Sequence, residues 1–133
     1  MITIKKSKSI LLLIADPKTR DDLRILLEEN HYFALLITDP EELFSMLREN
    51  QFSVVLIDCA SLSYYGVRII SKIKVVCAHS RIIVFCNKLH LCDSHHRTII
   101  KEIMAIGVYA CIIAPYEAWE VLSLVAYESH REK

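Results

Sequence analysis

Five short, almost wholly apolar runs punctuate this chain, and longer segments of helical spacing separate them. The runs are Ser9 to Ile14 (SILLLI), Phe33 to Thr38 (FALLIT), Ser53 to Ile57 (SVVLI), Arg81 to Cys86 (RIIVFC) and Val108 to Ile113 (VYACII). Continuously apolar and rich in β-branched residues, they predict strands buried on both faces of a parallel sheet rather than half-exposed antiparallel strands. After the first run, Leu23, Leu26 and Leu27 share one helical face, with Asp16 placed to cap the helix and Pro17 at its first position. Asp39 and Pro40 open a second helix in the same way, over Leu43, Met46 and Leu47. Further helices are predicted over about 67–76, over 97–106 ending at Gly107, and over 117–129 after Pro115. The order is therefore (βα)5, and right-handed crossovers put helices on both faces of a five-stranded sheet.

Composition narrows the chemistry. With 133 residues, 53% hydrophobic and 24% charged, one globular domain is expected over 1–133, its ordered core running from about 9 to 129. Sixteen Lys+Arg balance sixteen Asp+Glu, so no net field draws the protein onto nucleic acid or anionic lipid. The basic cluster Lys5, Lys6 and Lys8 reads as a solvated tail. Only two glycines, Gly66 and Gly107, are present, too few for a dinucleotide or nucleotide phosphate loop. Cys59, Cys77, Cys86, Cys92 and Cys111 are odd in number, lack a CxxC pair and lie largely in apolar surroundings, so they read as reduced core thiols of a cytoplasmic protein. No run is long enough to span a membrane, and the first nine residues lack the apolar stretch of a signal peptide.

In parallel sheets of this kind, sites form beyond the carboxyl ends of the strands. Those ends deliver Ala15 and Asp16, then Asp58, then Cys86 and Asn87, then Ala114 and Pro115. Asp16 and Asp58 make an acidic pair. Such a pair either shares a cation, for which Mg²⁺ is suited because it needs only one or two protein carboxylates, or carries a raised pKa on one member. The alternative is a plain helix cap at Asp16 and a solvated loop acid at Asp58.

An acid closing strand one, the segment LIDCASLSYYG with Asp58 eight residues before Gly66, and CIIAPY closing strand five together resemble the receiver domain of two-component response regulators. The resemblance runs from Ile10 to about Tyr127 and implies a flavodoxin-like three-layer (βα)5 sandwich with parallel sheet order 2-1-3-4-5. Carried over by position, it implies Asp58 as the phosphoacceptor, Asp16 as a metal-site acid, the carbonyl of Ala60 as a backbone ligand, and Mg²⁺ as cofactor. It also implies a histidine kinase or another signalling protein as partner, and no enzymatic activity of its own.

Several receiver positions depart from the pattern. Ala15 stands where a second acid is usual, Cys86 where strand four usually ends in Ser or Thr, Ala114 where a lysine precedes the strand-five proline, and Cys111 at the aromatic switch position. Two acids without a lysine carry the same formal charge as three acids with one, so an ion could still be tolerated. Each lost donor to developing charge costs about 10²–10³ in rate, so slow or absent phosphorylation of Asp58 is expected unless Lys18 or Lys88 substitutes. Buried free thiols are expected at Cys86 and Cys111. Relief of carboxylate repulsion makes Asp58→Asn near neutral for stability. The stretch His90, Cys92, Asp93, His95, His96 is expected as a polar surface loop, with a metal or small-molecule site as the alternative. In the last helix Val121, Leu122 and Val125 suit the core, leaving Trp119, Leu124 and Tyr127 as a partner face, with homodimerisation through helix four, strand five and helix five. Flavin and cysteine-phosphatase readings fail for want of a Ser/Thr/Gly-rich phosphate loop after strand one and of an arginine-closed anion loop after a cysteine.

Overall fold

A computed structural model describes residues 9–50 and 52–126, the side chain of His90 excepted. Five parallel strands form one sheet in the order β2-β1-β3-β4-β5: β1 (Ser9–Leu13), β2 (Phe33–Leu36), β3 (Val54–Asp58), β4 (Arg81–Asn87) and β5 (Ala110–Ala114). This is the expected flavodoxin-like three-layer sandwich, and it carries seven helical segments among the described residues. They are α1 (Pro17–Glu29), α2 (Pro40–Glu49), α3 (Cys59–Tyr65), α4 (Arg68–Val76), α5 (Lys88–Cys92), α6 (Ser94–Ile106) and α7 (Ala118–Ala126).

Strand alternation sorts the core into two layers. Ile10, Leu12, Val54, Leu56, Ile83, Phe85 and Ile112 pack with Leu23, Leu27, Val121 and Val125 of α1 and α7. Leu11, Leu13, Val55, Ile57, Val84 and Cys86 face the other way, toward Leu43, Leu47, Ile70, Ile73, Ile99 and Ile103 of α2, α4 and α6. The expectation of strands buried on both faces holds for β1 and β3, every residue of which is buried. It fails for β2 and β5, which are the sheet edges and stay partly exposed.

Asp16 and Asp39 cap α1 and α2 as expected, each with proline following. Two helices were not foreseen. Residues after β3 form α3, because Asp58 accepts the Ser61 backbone N–H and so caps a helix that Gly66 ends at φ +94°. The stretch expected as a polar loop becomes α5 and the start of α6, since Asp93 accepts the His96 N–H and caps α6 three residues ahead of its predicted start. All four aspartates use one local device, a carboxylate three residues before the amide it accepts. The last helix is described to Ala126, so Tyr127 lies outside the described residues. No helix among the described residues is long and apolar enough to cross a membrane.

Gly107 shows how one helix end is tied to its neighbour. It leaves α6 at φ +106°, and Lys74 of α4 donates to the carbonyls of Ile106 and Gly107 at 2.8 and 3.2 Å. A Cβ on Gly107 would stand 2.9 Å from the Lys74 Nζ. Gly107→Ala therefore combines backbone strain with displacement of that ammonium, and urea unfolding should show a loss of about 1–3 kcal/mol.

Candidate functional site

At the carboxyl ends of β1, β3, β4 and β5 the chain leaves a cleft of about 180 Å³. Asp16 and Thr19 line one side, Asp58 and Ala60 follow β3, and Cys86, Asn87 and Ala114 close it from β4 and β5. The positions taken from the sequence as the site are thus brought together, except Cys111, which stands beside the cleft rather than in its lining. Phe85 and Tyr116 also face the cleft, packed edge to face with ring centroids 5.4 Å apart.

The two acids do different work. Asp16 is exposed, and its Oδ2 accepts from the Thr19 backbone N–H at 2.9 Å and the Thr19 hydroxyl at 2.8 Å. These bonds, backbone first, hold its carboxyl below the ordinary aspartate value, with Lys18 and Arg20 adding to the effect against slight burial. Asp16 is therefore ionised at neutral pH. Asp58 is only 5% exposed, and its carboxylate is turned onto the backbone. Oδ1 accepts from Ala15 N at 3.1 Å and Ser61 N at 3.0 Å, while Oδ2 accepts from Ala15 N and Asp16 N, both at 3.1 Å. Charge-assisted bonds from three amides occupy both oxygens. The negative charge at the end of β3 thus clamps the β1–α1 turn to the start of α3.

That geometry bears on Mg²⁺. The ion demands near-octahedral oxygen donors, and each Asp58 oxygen already accepts two N–H contacts. Asp16, sharing one oxygen with Thr19, and the Ala60 carbonyl are left as donors. Among the described residues no group of three or more metal-capable side chains converges anywhere. The residues do not fit a resident Mg²⁺ while Asp58 holds this rotamer. Nor does a substitute cation fill the place of the missing lysine: Lys18 is paired with Asp22 at 2.9 Å, Lys88 is exposed, and neither lines the cleft.

The thiols differ from expectation. Cys59 and Cys86 are joined as a disulfide, with Cα atoms 5.3 Å apart. The register that pairs Asp58 with Phe85 brings the next residue of each strand end together, a proximity that sequence spacing does not reveal. Cys111 remains a free thiol, its Sγ 3.7 Å from that of Cys86, and burial pushes its pKa up. Cys86, Cys111 and Ala114, the positions expected as a switch, thus hold two sulfurs and a methyl group. The metal-capable stretch is taken up into α5 and the start of α6, with the His95 and His96 ring centroids 5.4 Å apart. His95 bonds the Ser63 hydroxyl at 3.1 Å and His96 bonds Asp93.

Ser61 is the contributor that sequence reading missed. Its amide holds Asp58, and its hydroxyl donates to the Leu13 carbonyl at 3.1 Å, so it bridges β1 and α3. The three-residue spacing from Asp58, the same as Asp16 to Thr19, was the available signal. This clamp reverses the expectation for Asp58→Asn. The neutral amide weakens the bonds and turns an NH₂ toward backbone N–H donors, so urea unfolding should register a loss of about 1–3 kcal/mol rather than none.

No protein-family model matches the chain, and no curated protein does. Solved structures do. A response regulator receiver domain from Clostridium thermocellum superposes with a TM-score of 0.73 at 20% identity, covering 93% of this chain and 95% of that one. The receiver domain of a sensor histidine kinase from Pseudomonas aeruginosa, with a magnesium ion coordinated in its active-site cleft, gives 0.67 at 16% identity over 90% and 95%. A structure named as an adenylate cyclase from Rhodopirellula baltica gives 0.69 at 15% identity over 94% of each chain. The strand order, the cleft at the strand ends and these superpositions agree: the chain has the fold of response regulator receiver domains.

Proposed function

We propose that residues 1–133 form one receiver-like signalling module that acts through protein contacts, with Asp58 serving as a structural clamp rather than as a working phosphoacceptor. The observation that carries this reading is the engagement of both Asp58 oxygens by the amides of Ala15, Asp16 and Ser61, in a cleft where no lysine or arginine is among the described lining residues. A phosphoryl group would have to break those bonds. Its oxygens would then meet Ala114 and Cys86, which offer no charge and at most a weak donor. On this reading the module is not an enzyme, and Mg²⁺ has no resident role.

The contact surface is supported by exposed apolar side chains on α6, on the connection into β5, on β5 and on α7. Met104, Tyr109, Ile113 and Trp119 are each at least 40% exposed, Trp119 at 67%. Trp119 supplies the exposed aromatic of α7, whereas Leu124 is half-buried against the core and contributes only an edge. An aromatic flanked by aliphatic groups suits a protein partner, either another signalling protein or a second copy of the chain. The zero formal net charge argues against nucleic acid as the direct partner.

Intact-mass measurement after incubation with Mg²⁺ and acetyl phosphate tests the first half of the reading. Wild-type protein should acquire no phosphoryl group, and an adduct lost in Asp58→Asn would overturn it in favour of a phosphorylation-competent receiver. For the second half, Trp119→Ala should shift the sedimentation profile toward lower mass at concentrations where the wild type self-associates. An unchanged profile removes the homodimer from this face.

A further inference from the structure

Three of the five cysteines meet on one face of the sheet beside the cleft. Cys59 is the first residue of α3, Cys86 lies one residue from the end of β4, and Cys111 is on β5. Pairing of Val84 with Cys111 puts Cys86 two residues further along β4, so both sulfurs point into the same core layer. Cys86 is bonded to Cys59 and has the Cys111 Sγ at 3.7 Å on its other side. It also lines the cleft, whereas Cys59 is fully buried. The remaining thiols, Cys77 and Cys92, lie outside this group, and Cys92 is exposed.

We propose that Cys59, Cys86 and Cys111 form a thiol–disulfide redox site in which Cys86 is the central sulfur, open to small peroxide-class oxidants through the cleft and able to bond either neighbour. Starting from the reduced state, the Cys86 sulfur attacks one oxygen of hydrogen peroxide. The S–O bond forms as the O–O bond breaks, and the departing oxygen leaves as water with the thiol proton. The Cys59 sulfur then attacks that of Cys86. The S–S bond forms, the S–O bond breaks, and the hydroxyl leaves as a second water with the Cys59 proton. Two electrons pass from the sulfurs to peroxide, so the sum is balanced. Exchange needs no further oxidant. The Cys111 sulfur attacks Cys86 while the Cys59–Cys86 bond breaks, and the proton from Cys111 ends on Cys59.

The exchange has a structural consequence at the cleft. It releases the first residue of α3 from β4, next to the carboxylate that caps that helix, so the choice of disulfide partner reaches the β1–α1 clamp. The proposal is independent of what the α6, β5 and α7 face binds, because thiol connectivity reads it out alone.

The test uses the full chain, reduced, freed of reductant and treated with hydrogen peroxide, then alkylated under denaturing conditions and mapped by peptide mass. Wild-type protein should lose two hydrogens, with Cys59–Cys86 as the main linkage, Cys86–Cys111 as a second, and Cys77 and Cys92 fully alkylated. Cys59→Ala should move the whole linkage to Cys86–Cys111, Cys111→Ala should leave Cys59–Cys86 alone, and Cys86→Ala should abolish both. Absence of either linkage from the wild-type map overturns the proposal whether or not the variants fold. So does oxidation confined to Cys77 or Cys92.

Discussion

One buried carboxylate ties together the turns at the carboxyl end of the sheet. Asp58 ends β3, where the interior of the sheet gives way to the cleft, and it meets three backbone amides, two from the β1–α1 turn and one from α3. Those amides belong to a tight turn and a helix start, where intrahelical and ladder partners are lacking. An anion is the natural acceptor for such convergent donors, and here the chain supplies its own. The position of Asp16 at the rim, the start of α3 and the shape of the cleft follow from that bond set. So does the limited room for a cation at Asp58, since each of its oxygens already accepts two N–H contacts.

At the same end of the sheet, Ala114 contributes a methyl group and Cys86 a sulfur to the cleft lining. With Cys111 adjacent, the void left by absent polar groups is filled by polarisable sulfur, which packs well and costs little desolvation. Apolar surroundings of this kind suit either a plain scaffold or a chemistry that moves no charge. Sulfur exchange is of the second kind, because it transfers no net charge between the three residues.

Legibility followed the range of the interactions. The caps at Asp16 and Asp39 could be read because proline follows each and marks the first helical position. Those at Asp58 and Asp93 lack that marker and were read as a phosphoacceptor at a strand end and as part of a polar surface loop, although the same three-residue spacing to an amide is present in both. The two core layers were legible as apolar runs, but which strands would be edges was not a matter of composition. β2 and β5 are as apolar in sequence as β1, and only their place in the order exposes them.

The five strands and the five main crossover helices, the two proline-marked caps and the convergence of strand ends were determined by the sequence itself, because each rests on periodicity or on contacts a few residues apart. Tertiary structure alone decided that Asp58 turns inward to the amides of Ala15 and Asp16, more than forty positions away in the chain. It alone decided that Cys86 finds Cys59 twenty-seven residues back and Cys111 twenty-five ahead. Such partners are chosen by the register of parallel strands, and register is set by burial of the whole sheet rather than by any local pattern.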